Sequence, residues 1–176
     1  TSPMEVAARL NRLFPFEAAT DQLTTMLFGI LNANTGEFRY VSAGHPGPVH
    51  LSSGARPVIL ESEGFPIGLA EDPYEERSVR MSAGDRLFLY SDGVPEAMDS
   101  AGQPFGKNRM LEAIHQGRSK PLQENLAILV DKIAGWHGSA RPQDDISILA
   151  VEFSGASCAD DPSVEPVARP HAAIRA

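Results

Sequence analysis

The stretch DRLFLYSDGVPEA, residues 85–97, places the bulky run LFLY directly before Ser-Asp-Gly. Leu, Phe and Tyr favour extended structure, so we predict a buried strand at about 86–91. The carboxylate of Asp92 would then stand at the C-terminal end of this strand. A side chain in that position is held by a rigid element, which suits it to binding a ligand.

A second acidic motif stands beside another apolar strand. In DDISILAVEF, residues 144–153, Asp144 and Asp145 precede the strand. If the two predicted strands are antiparallel neighbours, the end of the first and the start of the second meet at one edge of a sheet. Clustered carboxylates repel one another unless a cation binds them, and oxygen ligands select hard ions such as Mg²⁺ or Mn²⁺. The residues alone also allow a simpler interpretation, in which Asp-Gly is a turn and Asp-Asp a solvated loop or cap.

The composition is that of a compact globular protein. The chain has 176 residues, 42% of them hydrophobic and 22% charged, so we predict one domain over residues 1–153 and a flexible tail over 154–176. The formal net charge of -8 argues against a nucleic-acid or membrane partner, because both need a basic surface. The single Cys158, the lack of an apolar run of ~20 residues and the lack of a signal-peptide pattern predict a cytoplasmic protein.

The N-terminal residues predict a capped helix. SPME, residues 2–5, contains a Ser suited to the N-cap, a Pro for the first helical position and a Glu that completes a capping box. Val6, Leu10 and Leu13 are then expected to form the buried stripe of this helix.

Strand patterns predominate in the first part of the chain and helical patterns in the second. Residues 23–44 predict a hairpin whose turn, at 34–36, ends on Gly. Further short strands are expected at about 47–52, 56–60 and 77–82, and helices over 106–117 and 120–137. In the last helix the periodic residues Leu122, Leu126, Leu129, Ile133 and Trp136 are expected to pack in the core. These patterns predict an α+β, mainly antiparallel fold.

Four motifs in this order identify a family resemblance: AGHPGP at 43–48, FPIGL at 65–69, AGDRLFLYSDGVPEAMDSAGQPFG at 83–106 and DDISILAVEF at 144–153. Over about residues 2–153 the chain resembles the SpoIIE-like branch of the PPM metal-dependent serine/threonine phosphatases. The resemblance implies a β-sandwich flanked by helices, with two Mn²⁺ or Mg²⁺ ions bound at one end. It also implies hydrolysis of phosphoserine or phosphothreonine by water activated on the metal ions.

The resemblance also implies site residues and a substrate class. Asp92 and Asp144 would be metal ligands and the catalytic carboxylates, with Asp145 a neighbouring residue of the metal site. The expected substrate is a phosphorylated bacterial regulatory protein, such as an anti-sigma factor antagonist. The alternative is a catalytically inactive module that keeps the fold and binds a signalling partner.

Two acidic motifs of the family have no counterpart in residues 1–30, so the fold is expected to be incomplete at the N-terminus. One is of the Gly-Asp-Phe/Tyr type and the other resembles Gly-Asp-Val-Ser-Gly-His-Gly. Without their carboxylates the chain alone is expected to bind metal weakly and so to be inactive. Three explanations remain: a fragment of a longer protein, which we favour, a non-catalytic family member, or a site completed by another chain. Exposed strand edges would also favour a homodimer.

Several other polar residues have structural interpretations that we prefer. His45 is expected to be a turn residue, and Glu96 to lie in the first turn of a short helix, where a carboxylate suits the helix dipole. His115 and His137 are expected at the surface. Arg141 is expected to form a salt bridge with one aspartate of the Asp-Asp pair, although a guanidinium could also hold a phosphate.

Overall fold

A computed structural model describes residues 2–16, 23–61, 63–138 and 144–155. Arg141, Cys158 and nearly all of the predicted tail lie outside these ranges. The chain divides into two compact units, Thr1–Gly47 with Leu60–Met81 and Pro48–Ile59 with Ser82–Ala176. In chain order the elements are α1 (Pro3–Leu13), β1 (Met26–Leu31), β2 (Glu37–Ala43), β3 (Val49–Leu51), β4 (Val58–Ile59), β5 (Arg77–Arg80), β6 (Arg86–Tyr90), α2 (Gly93–Glu96), α3 (Gly106–Gln116), α4 (Leu122–His137) and β7 (Ile148–Glu152).

Helix α1 begins with the predicted capping box. The hydroxyl of Ser2 accepts a hydrogen bond from the Glu5 N–H at 3.2 Å, and the Glu5 carboxylate accepts one from the Ser2 N–H at 2.9 Å. The predicted stripe was wrong at Leu13, whose side chain is 60% exposed, while Ala7 is fully buried. At 3.6 residues per turn Leu13 lies about 120° around the helix from Ala7, outside the buried face.

The first unit contains a three-stranded antiparallel sheet in the order β1-β2-β5. The predicted hairpin is confirmed: Leu31 pairs with Phe38, and Gly36 has a positive φ of 71° in the turn between β1 and β2. Only glycine adopts that backbone conformation without strain from a side chain. Beneath α1, buried residues including Val41 and Ala43 form the core of this unit.

The second unit contains a four-stranded antiparallel sheet in the order β4-β3-β6-β7. Its buried cluster joins side chains of the sheet, such as Phe88, to Met110 and Ile114 of α3. The predicted stripe of α4 is confirmed, because Leu126, Leu129 and Ile133 are buried in the same cluster and Leu122 and Trp136 pack against it.

Both His115 and His137 were expected at the surface of the protein. This prediction was wrong for His137 and only partly right for His115. His137 is only 8% exposed, because it follows Ile133 by four residues and so continues the buried face of α4. His115 is half-buried, and its Nδ1 is enclosed. Among the described residues, no helix has the length and apolar content that a bilayer span requires.

Candidate functional site

Strands β6 and β7 are antiparallel neighbours, which is the condition under which the two acidic motifs meet at one sheet edge. Phe88 lies opposite Ala150 and Tyr90 opposite Ile148, so the C-terminal end of β6 meets the N-terminal end of β7. The backbone N–H of Ser91 extends the ladder by donating to the carbonyl of Ser147 at 3.0 Å. The two acidic motifs therefore adjoin the same edge of one sheet.

The side chain of Ser91 connects the Ser-Asp-Gly turn to the residues that precede β7. Its hydroxyl donates to the carbonyl oxygen of Asp145 at 2.9 Å and accepts the N–H of Ser147 at 3.0 Å. These two bonds hold the backbone on both sides of Ile146. The position of the Asp-Asp pair relative to the turn is thus set by hydrogen bonds as well as by strand pairing.

Gly93 allows the two segments to approach closely. A Cβ atom at this position would lie 2.6 Å from the carbonyl oxygen of Asp145 and 3.6 Å from the Cβ of Asp144. The first distance is well inside van der Waals contact, and the atom that it would meet belongs to the backbone. The absence of a side chain at Gly93 is therefore what lets Asp144 and Asp145 lie against the turn that carries Asp92.

The carboxylates of Asp92 and Asp144 are held in similar ways. Asp92 is the N-cap of α2, and its Oδ1 accepts the N–H of Gly93 at 3.0 Å. The Oδ1 of Asp144 accepts the N–H of Asp145 at 2.7 Å. Both residues are exposed. Each carboxylate uses one oxygen in these bonds, which leaves the second oxygen for an external ligand.

The carboxylates of Asp92 and Asp144 are oxygen ligands at one sheet edge, and oxygen ligands are what a hard divalent cation prefers. This set of ligands is also small. Among the described residues, no three His, Cys, Asp or Glu side chains gather closely enough to hold a metal ion. The described residues thus bring carboxylates to one sheet edge without gathering three of them, and the metal site expected from the sequence stays a prediction.

A cleft opens beside this edge, between the turn and the end of α4. Its lining residues are Gly93, Glu96, Ala97, Met98, His137 and Asp144. Glu96 lies in the short helix α2, as predicted from its position after Pro95. Sequence reasoning missed His137 as a cleft residue, although its spacing from Ile133 was a signal that it faces inward.

The end of α4 is anchored near this cleft by Trp136. Its indole N–H donates to the carbonyl of Gln103 at 3.0 Å, and the guanidinium carbon of Arg109 lies 4.0 Å from the ring centroid. Asp99 orders the loop that carries Gln103 by accepting the backbone N–H groups of Ala101 and Gln103. Trp136 therefore holds the last turn of α4, including His137, against a defined loop.

His45 lies in the first unit, in the predicted turn. Its backbone N–H donates to the hydroxyl of Ser42 at 3.2 Å, and its Nδ1 lies 3.0 Å from the carbonyl oxygen of Pro46. These local bonds fix the turn, which agrees with the structural interpretation of this residue.

Comparison with known proteins identifies relatives of the chain. The family model described as Stage II sporulation protein E (SpoIIE) matches residues 1–154. The phosphoserine phosphatase RsbU of Bacillus subtilis is 30% identical over 102 residues, which are 57% of this chain and 30% of RsbU. Protein IcfG of Synechocystis is 28% identical over 128 residues, which are 72% of this chain and 20% of IcfG. The chain thus spans less than a third of the length of either relative.

The solved phosphatase domain of SpoIIE from Bacillus subtilis, presoaked with Mn, has a similar fold. Its TM-score is 0.63 at 16% sequence identity, over 86% of this chain and 65% of that domain. The likeness confirms the predicted α+β fold of the PPM phosphatases. Together with the match of the family model over residues 1–154, it shows that the chain belongs to the SpoIIE family.

Proposed function

We propose that the chain is part of a metal-dependent protein serine/threonine phosphatase. Its substrate would be a phosphoserine or phosphothreonine of a bacterial regulatory protein, such as an anti-sigma factor antagonist, in the cytoplasm. The observation that carries this proposal is the meeting of the Asp92 turn and Asp144 at one sheet edge, across Gly93. The name of the relative RsbU, a phosphoserine phosphatase, supports the reaction type.

In this proposal Asp92 and Asp144 are metal ligands, and Asp145 is a neighbouring residue of the metal site. Mn²⁺ or Mg²⁺, two ions in the complete site, would supply an activated water and neutralise charge on the phosphoryl oxygens. The protein chain itself holds the aspartates in fixed positions. Strand β6 holds the turn that carries Asp92, and the hydroxyl of Ser91 fixes the backbone of Asp145. The ligands that complete the site would come from residues other than the described ones.

The alternative of an inactive binding module is not favoured by the relatives that the chain matches. It makes a different prediction, since a module would bind a phosphoprotein without releasing phosphate. The sheet edge with Asp92 and Asp144 would then bind the phosphoprotein without taking part in a reaction.

Phosphate release from a serine-phosphorylated anti-sigma factor antagonist, measured on the full-length protein with and without Mn²⁺, tests the proposal. We expect Mn²⁺-dependent release that falls at least about 100-fold in Asp92→Asn and in Asp144→Asn, because each variant removes a charged ligand that orients the reacting groups. Isothermal titration with Mn²⁺ should show weaker binding in both variants.

Asp131→Asn is the matched control, because Asp131 is an exposed residue of α4 outside the cleft. It makes the same chemical change and should leave both activity and Mn²⁺ affinity unchanged. Unchanged turnover in both site variants would contradict the assigned roles. Phosphoprotein binding without phosphate release under any metal condition would support the binding module.

A further inference from the structure

Ser91 is the residue at which the chain leaves the sheet after β6. Its backbone N–H still donates to the carbonyl oxygen of Ser147 at 3.0 Å, in register with the ladder of β6 and β7. In a regular antiparallel pair Ser147 would return this bond by donating its own N–H to the Ser91 carbonyl. That carbonyl instead accepts the N–H of Val94 at 3.1 Å, because the chain turns here into α2. The turn therefore removes the backbone acceptor that Ser147 would otherwise have.

The hydroxyl of Ser91 replaces that acceptor and adds a second bond. It accepts the Ser147 N–H at 3.0 Å and donates to the carbonyl oxygen of Asp145 at 2.9 Å. A hydroxyl can do both, because it has one donor proton and two acceptor lone pairs. One side chain thus continues the pairing with the segment before β7 after the backbone has turned away.

The carbonyl of Asp145 is also the group against which Gly93 packs, because a Cβ at Gly93 would lie 2.6 Å from this oxygen. The residues on both sides of Asp92 therefore contact the same carbonyl, Ser91 through a hydrogen bond and Gly93 through its lack of a side chain. Asp144 is the preceding residue, and its Oδ1 accepts the Asp145 N–H at 2.7 Å. A shift of Asp145 relative to the turn would therefore carry Asp144 away from Asp92.

Water can pair with the same backbone groups when the hydroxyl is removed. Asp145 and Ser147 are exposed, and a bound water is nearly as good a partner as a protein group. The hydroxyl is thus not needed to satisfy these groups, and its removal should cost little stability. A water molecule, however, has no covalent link to the residue before Asp92. The contribution that only the side chain of Ser91 can make is placement.

We propose that Ser91 is a positioning residue of the candidate metal site, and that its hydroxyl sets the distance between Asp92 and Asp144. The inference rests on the proposed phosphatase function, because it assigns a role within the same site. Ser91 is not a catalytic residue, since its hydroxyl is bound to two backbone groups of the segment before β7. It acts through the two aspartates.

Ser91→Ala and Ser91→Thr in the full-length protein separate the hydroxyl from the rest of the side chain. Calorimetric titration with Mn²⁺ should give a Kd at least about 10-fold higher in Ser91→Ala, as is typical when a group that orients metal ligands is removed. Ser91→Thr keeps a hydroxyl on the same carbon atom and should bind Mn²⁺ nearly as well as the parent. Ser78→Ala is the matched control, because Ser78 is an exposed residue of β5 in the first unit, and it should leave the Kd unchanged.

Amide hydrogen exchange without a metal ion gives a second readout. The Ser147 N–H should exchange faster in Ser91→Ala than in the parent or in Ser91→Thr, because it loses its protein acceptor. The urea midpoints of the three proteins should stay close to one another. A large fall of the midpoint in Ser91→Ala would show that the hydroxyl stabilises the fold and would contradict a role in placement alone.

An unchanged Mn²⁺ Kd in Ser91→Ala, or equally weak binding in Ser91→Thr, would overturn the positioning role. Mn²⁺-dependent phosphate release by the parent would in that case leave the phosphatase proposal intact. If the parent releases no phosphate while its Mn²⁺ binding depends on the Ser91 hydroxyl, the positioning role stands and the proposed reaction does not. A parent protein that binds no Mn²⁺ would overturn both.

Discussion

Tyr90 lies opposite Ile148 in the antiparallel pair of β6 and β7. Continued past the strand ends, this register brings Gly93 to Asp145, where the backbone approach is so close that a Cβ atom would lie 2.6 Å from a carbonyl oxygen. A slip of one residue would turn each side chain to the other face of the sheet. The placement of Asp92 near Asp144 therefore depends on the register of a single strand pair.

Replacing Gly93 with Ala should disturb the candidate metal site. The new methyl group would collide with the backbone of Asp145, and the Asp-Asp segment would have to move away from the turn. We expect weaker Mn²⁺ binding by calorimetry, and a loss of about 1–3 kcal/mol in the free energy of unfolding, as is typical of overpacking.

Gly135→Ala is the control for that substitution. Gly135 lies within α4, and apart from its chain neighbours and the nearby backbone of α4 itself, no described atom lies within 4 Å of a Cβ at this position. The change should stabilise the protein by up to about 1 kcal/mol through helix propensity and leave metal binding unaltered. If Gly93→Ala behaves in the same way as Gly135→Ala, the close approach is not a requirement of the site.

Asn125 should be one of the most sensitive residues of the second unit. It is fully buried, its Oδ1 accepts from the Arg86 guanidinium at 3.0 Å, and its Nδ2 donates to the carbonyl of Ile114 at 2.9 Å. Asn125→Leu removes both bonds and leaves a donor of buried Arg86 without that partner. We expect a loss of about 2–4 kcal/mol in urea unfolding followed by the fluorescence of Trp136.

The ion pair of Arg86 with Glu152 is the comparison for its hydrogen bond with Asn125. Arg86 also donates to Glu152 at 2.6 Å, but the Glu152 side chain is 38% exposed. Glu152→Gln keeps an acceptor oxygen for Arg86 but removes the charge that faces this buried guanidinium, so we expect a loss of about 1–2 kcal/mol, smaller than that of Asn125→Leu because solvent reaches the Glu152 side chain. An equal or larger effect in Glu152→Gln would show that the ion pair, and not the buried amide, stabilises this guanidinium.

The carboxylate of Asp85 should make the free energy of unfolding depend on pH in the acid range. Burial alone would raise its pKa, but hydrogen bonds from the backbone N–H groups of Ser82 and Ser53 and from the His50 ring outweigh burial and lower the pKa below 3.8. A carboxyl group whose pKa is lowered by folding contributes stability above its unfolded pKa of about 3.9, and this contribution is lost as the pH falls through the folded pKa.

Urea unfolding of the parent and of Asp85→Asn between pH 7 and pH 3 measures this contribution. The variant should be less stable at pH 7, and the difference between the two proteins should shrink as the pH falls below about 4. A difference that stays constant over this range would mean that the loss in the variant is due to packing and not to the carboxylate charge.

Two tyrosine-to-phenylalanine substitutions should have opposite effects. The hydroxyl of Tyr90 is buried and has no hydrogen-bond partner among the described residues, and burial raises its pKa to about 12, whereas the hydroxyl of Tyr74 donates to Asn11 at 2.9 Å. Tyr90→Phe should be neutral or stabilising by up to about 1 kcal/mol, and Tyr74→Phe should cost about 0.5–1.5 kcal/mol. Thermal unfolding followed by circular dichroism checks both, and destabilisation by Tyr90→Phe would reveal a hydrogen bond to its hydroxyl.

Local chemistry was sufficient to predict the helix cap at Ser2, the hairpin that ends at Gly36 and the stripe of α4 around Leu129. Each depends on contacts between residues close in the chain, where side-chain type and spacing act directly. The same kind of pattern placed Asp92 and Asp144 at strand ends, and the family motifs supplied the metal-ligand roles predicted for them.

Tertiary packing decided the remaining features. The cleft position of His137 depends on how far the buried face of α4 extends, and the exposure of Leu13 depends on which face of α1 packs in the core. The approach of Asp145 to Gly93 depends on a strand register between residues more than 50 positions apart in the sequence. Such contacts are set by the shape of the packed surfaces, which no short stretch of residue types encodes.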